Sequence, residues 1–369
     1  MYPTAPGAEP TALPNPPELD GFSYLYGHPL LNSLSPLLHK TLYDALGLNW
    51  TQFPLSVSDT SNPDVFPPPY TLSLPIAEFF AQTKANERFI GSSVTMPWKV
   101  AILPHLDELA EEAKGAGACN TIFIREEEGG ITNGNSANGN TARRVFVGTN
   151  TDCIGIREAL LQNLPSGSRD TLGSSPLKGK PALIIGGGGT ARAAIYALRK
   201  WIGASKIYIV NRDRAEVETV MAEDAAKPDS IFASEHAFTS RAELIHVVDP
   251  AEVKGLNAPY TIVSGVPNYP PKTPEEITAR RTIEALLQLG EEEKGVLLEM
   301  CYHPKPWTDI AELASSSGWK VVLGTEAMIW QGIEQVKLWT GRDIVKEPGV
   351  VEKVKAVIER ALAERVAGK

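Results

Sequence analysis

Gly186, Gly188 and Ala191 stand in a G-x-G-x-x-A spacing, directly between the apolar run PALII and the helix-forming stretch TARAAIYALRKW. The chemistry this spacing serves is the cradling of a pyrophosphate. The first glycine lets a strand turn sharply, the second lets the backbone approach the phosphates, and the helix N-terminus offers free N–H groups to the anion. Gly189 at the helix start joins this cofactor-binding set, and Ala191 permits close packing of helix on strand. The plain alternative is a tight glycine turn without a ligand; the strand before it and the helix after it argue against that. About 25 residues on, a second apolar run ends at Val210, and Asn211, Arg212, Asp213 and Arg214 follow, where an adenosine ribose is read. A carboxylate there accepts from ribose hydroxyls and repels a 2′-phosphate, whereas arginines attract it. Both kinds are present: Asp213 favours NAD, Arg212 argues for NADP, and Arg214 reads as a solvated charge at a helix start.

A strand, a turn and a helix must hold these residues, and the surrounding pattern supplies them. PALIIG, TARAAIYALRKW, KIYIV and RAEVETVMAEDA alternate as buried strand and helix, with YTIVSG, GVLLEM and WKVVLG as further buried strands. Such alternation is the signature of a parallel sheet with crossover helices. Earlier in the chain FSYLYG reads as a buried strand. LSPLLHKTLYDALGL reads as a helix, with Leu37, Leu38, Leu42 and Leu46 at helical spacing. REEEGGITNGNSANGNTARR and NLPSGSRDTLGSSPLKGK read as long surface loops, the second beside a domain boundary. TEAMIWQGIEQVKLWTG and PGVVEKVKAVIERALAERV read as closing helices. Residues 1–20, dense in proline and poor in large apolar side chains, read as a flexible tail.

The 369 residues are 43% hydrophobic and 21% charged, enough for two domains with cores of their own. A formal net charge of -9 repels nucleic-acid phosphates and anionic lipids, so neither is an expected partner. An anionic small substrate is compatible with it, because one cation in a pocket outweighs a diffuse surface charge that salt screens within about 10 Å. Cys119, Cys153 and Cys301 are too few and scattered for a disulfide framework or a zinc knuckle. They read as buried reduced thiols, and no metal site is expected. No apolar run approaches the roughly 18 residues of a membrane span, and the N-terminus lacks a cationic segment followed by a hydrophobic one. A cytoplasmic location is the expectation.

In order along the chain stand YGHPLLNSLSPLLH, SSVTMPWKVAI, GACNTIF and GTNTDCIGI, then the glycine loop, EMCYHPKPW and GTEAMIWQGIEQVKLWTG. With this series, from about Gly21 to Asp343, the chain resembles the shikimate/quinate dehydrogenase family, and in particular its stand-alone fungal members that act on quinate. The resemblance implies an α/β fold of two domains. A discontinuous α/β substrate-binding domain is expected from residues 21–152 and 325–369, and a Rossmann-type doubly wound NAD(P)-binding domain over 153–324, with the active site in the cleft. Three positions depart from the family pattern: Asn32 for a histidine, Ser93 for an asparagine and Glu299 for an aspartate.

The reaction so implied is oxidation of a secondary alcohol, quinate to 3-dehydroquinate, with shikimate to 3-dehydroshikimate as a second pair and NAD, or else NADP, as hydride acceptor. It needs a base and an acceptor aligned on one carbon. The resemblance makes Lys99 the base and Asp152 the carboxylate that bonds the same hydroxyl and holds the lysine. Read from the residues alone, Lys99 is a surface lysine and Asp152 the N-cap of the helix that follows. Ser33 and Ser35 are implied donors to the substrate carboxylate; their plain reading is helix capping, which Ser35 before Pro36 suits. Thr95, Asn120 and Gln331 are implied to read ring hydroxyls, Tyr302 to line the cleft near the nicotinamide, and Gly324 to join the cofactor set. Ordinary core hydrogen bonding rivals that role for Gln331 and Tyr302. Two other functions share the resemblance, a biosynthetic NADP-dependent shikimate dehydrogenase and a quinate-sensing regulatory protein without turnover. Lys99, Asp152 and the glycine loop argue against the second. Monomer and homodimer are both open.

Overall fold

The computed structural model describes residues 12–28, 30, 33–56, 71–72, 74–127, 143–164, 176–234, 237–238, 240–290, 294–302 and 305–367. Asn32 and most of the two polar loops lie outside the described residues. The chain divides into two compact units. The first takes in the chain through Ala113, Ala118–Asn150 and Gly332–Val357; the second takes in Lys114–Gly117, Thr151–Gln331 and Ile358–Lys369.

In the first unit β1 (Gly21–Gly27), β2 (Trp50–Ser56), β3 (Thr71–Leu72), β4 (Phe89–Val94), β5 (Glu108–Leu109), β6 (Thr121–Glu127) and β7 (Arg143–Thr149) form one sheet in the order β3-β2-β1-β4-β6-β7-β5. β1 is parallel to β2 and β4, whereas β6 is antiparallel to β4 and β7. Along the chain α1 (Ser35–Ala45) lies between β1 and β2, and α2 (Ile76–Lys84) between β3 and β4. A central parallel strand covered on both faces is apolar throughout, and β1 is accordingly buried at every position. Aromatic rings fill the core: Tyr24 stacks on Phe89 with centroids 5.6 Å apart, and Phe89 on Phe146 at 5.9 Å. Each such pair adds about 0.5–1.5 kcal/mol beyond the area it buries.

Residues 1–11 of the expected N-terminal tail lie outside the described residues; from Leu13 to Leu19 the segment is held by side chains of the first unit. The Leu13 N–H donates to Gln82 Oε1 at 2.9 Å, the Tyr24 hydroxyl to the Pro14 carbonyl at 2.6 Å, and Arg88 Nη1 to the carbonyls of Pro16 at 2.6 Å and Leu19 at 3.0 Å. A proline-rich backbone lacks donors but keeps every carbonyl. Here a phenol and a guanidinium from elsewhere in the chain collect them, and composition alone does not show such distant donors.

In the second unit β8 (Ala182–Ile185), β9 (Lys206–Val210), β10 (Glu243–His246), β11 (Thr261–Ser264), β12 (Val296–Glu299) and β13 (Lys320–Leu323) run wholly parallel in the order β10-β9-β8-β11-β12-β13. This is the doubly wound order, which reverses between β8 and β11. The helices along the chain are α3 (Glu111–Ala116), α4 (Asp152–Gln162), α5 (Gly189–Ala197), α6 (Arg214–Ala225), α7 (Pro274–Gln288), α8 (Asp309–Ser316), α9 (Gly324–Thr340) and α10 (Val350–Val366). Successive strand residues enter opposite layers. Ile184, Ile209 and Val263 pack with Ile156 of α4, Ala194 of α5 and Val217 of α6; Leu183, Tyr208 and Ile262 pack with Ile283 of α7 and Ile310 of α8. TARAAIYALRKW is α-helical only as far as Ala197. Leu198–Ile202 widen into a π-turn that ends on Gly203 at φ 72°, and Arg199 from this turn bonds Asp224 at 2.6 Å.

Candidate active site

Lys99 is half-buried in the turn after β4, and its carbonyl accepts the Cys119 N–H at 2.7 Å. The next residue, Asn120, is buried; its N–H donates to the Thr149 carbonyl at 3.1 Å and its carbonyl accepts the Val94 N–H at 2.6 Å. Because β6 runs against β4 and β7, its start meets their ends, and one end of the sheet gathers Thr95, Lys99 and Asn120.

Behind Asn120 runs a buried chain of hydrogen bonds absent from the sequence reading. Ser35 Oγ donates to Gln52 Oε1 at 2.8 Å, Gln52 Nε2 to Ser93 Oγ at 3.0 Å, and Ser93 Oγ to Gln335 Oε1 at 2.9 Å. Gln335 Nε2 then donates to Thr121 Oγ1 at 2.9 Å, and Thr121 Oγ1 to Asn120 Oδ1 at 2.7 Å. Two glutamine amides thus fill the space around Ser93, where the family pattern has asparagine, and a larger side chain would displace one of them.

The two serines have different partners within the protein. The N-cap of α1 is Leu34, without a side-chain cap. Ser33 Oγ accepts the Ser35 N–H at 3.2 Å, which leaves its own proton to donate to a ligand. Ser35 is the first helical residue and directs its proton into the protein, to Gln52.

Asp152 is buried and is the first residue of α4; the N-cap is Thr151, so the helix-cap reading of Asp152 is not met. One turn on, a Cβ at Gly155 would collide with the Ala327 carbonyl and lie 3.4 Å from Cβ of Gln331. α4 and α9 therefore approach backbone to backbone, which places Gln331 near the start of α4. Tyr302 is half-buried and follows a turn set by Glu299. The Glu299 carboxylate is fully buried and accepts from Ser264 Oγ at 3.0 Å, Thr308 Oγ1 at 2.7 Å and the Cys301 N–H at 3.1 Å. Burial pushes its carboxyl up to about 7. Gly324 starts α9 beside this turn, where any side chain would strike the Met300 carbonyl. Cys119 and Cys153 are buried and Cys301 half-buried, none of the three in a disulfide.

The glycine loop fits a dinucleotide pyrophosphate. Gly186 has φ 122°, a conformation that favours glycine, and its N–H donates to the Val210 carbonyl at 2.9 Å. Gly188, the N-cap of α5, has no side chain to cover the first amides, the first turn carries no acid, and Ala191 is buried. Beyond β9, Asp213 N-caps α6, its Oδ1 accepting the Glu216 N–H at 3.1 Å. The Glu216 carboxylate folds back to accept from Asn211 Nδ2 at 2.6 Å, and a Cβ at Gly187 would lie 2.8 Å from it. Arg212 forms an ion pair with Glu276, and Arg214 pairs with Glu218 at 2.8 Å on an exposed helix face. Glu216 and Glu276 were not among the residues singled out by sequence.

Residues 25–122 match the family described as shikimate dehydrogenase substrate binding domain. The chain is 54% identical over 359 residues to quinate dehydrogenase of Emericella nidulans, covering 97% of this chain and 98% of that protein. A solved shikimate dehydrogenase in complex with NADP+ shares the fold at a TM-score of 0.61 and 25% identity, over 92% of this chain and 95% of that one. Dehydroquinate dehydratase and shikimate dehydrogenase from S. pombe AroM matches at a TM-score of 0.60 and 29% identity, over 91% of this chain and 53% of that one. A likeness that holds for more than half of the residues along nearly the whole length leaves one assignment: the chain belongs to the shikimate/quinate dehydrogenase family.

Proposed function

We propose that this chain oxidises quinate to 3-dehydroquinate with NAD as acceptor, Lys99 and Asp152 forming the catalytic pair and shikimate serving as a second substrate. The observation that carries the reading is the 54% identity, end to end, with a quinate dehydrogenase. On this reading the first unit binds the substrate and the second the dinucleotide. The bound nicotinamide supplies the hydride acceptor. Gly186 turns the chain out of β8, and Gly188 and the start of α5 hold its pyrophosphate through backbone N–H groups. Lys99 Nζ takes the hydroxyl proton, and the Asp152 carboxylate fixes the direction of that hydroxyl. Asn120, its amide oxygen already engaged by Thr121, is held to read a ring hydroxyl beside Thr95, and Gln331 reads another. Ser33 donates to the substrate carboxylate. Asp213, next to Arg212 in the chain, and the ion pair of Arg212 with Glu276 support NAD over NADP. Among the described residues no helix is long and apolar enough to cross a membrane; a cytoplasmic monomer or homodimer goes with this reading.

Arg212 and the NADP+ complex of a related shikimate dehydrogenase favour a second reading, an NADP-dependent shikimate dehydrogenase. Initial rates with quinate and shikimate, each with NAD+ and NADP+, separate the two. A kcat/KM for shikimate more than about tenfold above that for quinate, some 1.4 kcal/mol in transition-state binding, overturns the proposal.

A further inference from the structure

Arg212 stands just past β9, where a cation would meet a 2′-phosphate, but its guanidinium is already in an ion pair with Glu276 of α7. Glu276 does not owe its position to Arg212. Its Oε2 accepts the backbone N–H groups of Lys272 at 2.8 Å and Thr273 at 3.2 Å, while Thr273 Oγ1 accepts the Glu276 N–H at 3.2 Å. This reciprocal capping box fixes the carboxylate at the first turn of α7. Its side chain is 19% exposed, against 66% for Arg212. A carboxylate pinned by backbone therefore sets where an exposed guanidinium rests, rather than the reverse.

We propose that Glu276 is a specificity-determining residue, which by holding Arg212 and placing a fixed negative charge beside it disfavours a 2′-phosphate and so favours NAD over NADP. This rests on the dinucleotide reading of the glycine loop. To serve a phosphate, Arg212 must leave Glu276 or share itself with it, and a dianion brought to the pair meets the carboxylate's repulsion. Asp213, whose carboxylate caps α6, forms no such pair with Arg212 among the described residues. Glu276 lies 64 residues from Arg212, so no local motif reveals it.

The test is calorimetric binding of 5′-AMP, 2′,5′-ADP, NAD+ and NADP+ to wild type, Glu276→Gln, Arg212→Ala and the double variant. Glutamine keeps an oxygen for the cap, so α7 retains its start. Exposed ion pairs shift equilibria by a few-fold, and loss of repulsion adds to this. Glu276→Gln is expected to tighten 2′,5′-ADP and NADP+ by about three- to tenfold, to leave 5′-AMP and NAD+ within about twofold, and to show a smaller gain without Arg212, where only the repulsion is relieved. An unchanged ratio in Glu276→Gln, or an equal gain with and without Arg212, overturns the inference. Wild type that favours NADP+ over NAD+ overturns the NAD reading alone, and the Glu276→Gln ratio still decides the present one. Wild type that binds neither dinucleotide overturns both.

Discussion

Gln335 bonds two strands of one sheet at once, accepting from Ser93 Oγ on β4 and donating to Thr121 Oγ1 on β6, each at 2.9 Å. Replacing it with leucine leaves two buried hydroxyls short of a partner and frees Thr121, which orients Asn120. Gln335→Leu is expected to lower stability by about 1–3 kcal/mol in chemical denaturation and to raise KM for quinate several-fold. An unchanged KM would mean that Asn120 is held without Thr121.

Lys99→Ala should lower kcat by about 10²–10⁴, the usual size of a lost general acid or base, while the Kd for the dinucleotide stays within about threefold. Stopped-flow turnover and calorimetry read the two. Near-normal turnover removes Lys99 from proton transfer.

Asp152→Asn keeps the shape but removes the charge. Because Thr151 and not Asp152 occupies the N-cap, kcat/KM should fall by at least about tenfold, with little change in Tm. A change confined to Tm would restore a purely structural role.

Asp213→Ser retains a capping side chain at the start of α6 and removes a carboxylate near the ribose-reading position. The NADP/NAD ratio of kcat/KM should rise by about two- to fivefold without loss of helix content by circular dichroism. A constant ratio means that the carboxylate serves α6 alone.

Glu299 makes stability depend on pH in a direction unusual for a carboxylate. Its folded pKa of about 7 lies above the ordinary 4.5, because burial disfavours the ionised form. The folded state then binds more protons than the unfolded state between about pH 4.5 and 7, so stability falls as pH rises through that window. Glu299→Gln removes this dependence. Denaturation midpoints at pH 5 and pH 8 should show the variant gaining on wild type at the higher pH, by up to about 3 kcal/mol. A parallel pH profile for the two proteins would contradict it.

The glycine-loop unit was legible because everything that defines it is local: PALII, the glycine spacing, TARAAIYALRKW and KIYIV lie within a few tens of residues, and period and spacing report them directly. Two capping signals are equally local, although both are absent from the sequence reading. Asp213 and Glu216, like Thr273 and Glu276, stand three apart before a helix, a spacing that marks a helix start. The polar chain behind Asn120 was not legible for the opposite reason. Ser93 and Gln335 are separated by 242 residues, and nothing in either neighbourhood says that a strand serine and a helix glutamine will share a proton. The same holds for Leu13 and Arg88, which hold the proline-rich segment through residues far along the chain.

The relay from Ser35 to Asn120 is built from hydroxyls and amides alone. Such groups do not titrate between the extremes of pH, and a buried neutral chain is indifferent to ionic strength. His39, which touches it at Ser35, is kept neutral by burial, its pKa pushed down to about 4. On the proposed reading, ring-hydroxyl recognition through Asn120 therefore has no salt titration of its own and none by acid above about pH 4, where His39 stays neutral, and bends in the pH–rate profile above that point report the proton-transfer groups. It follows that substrate choice can drift, by exchange of one neutral side chain in this relay for another, without moving the pH at which the enzyme works.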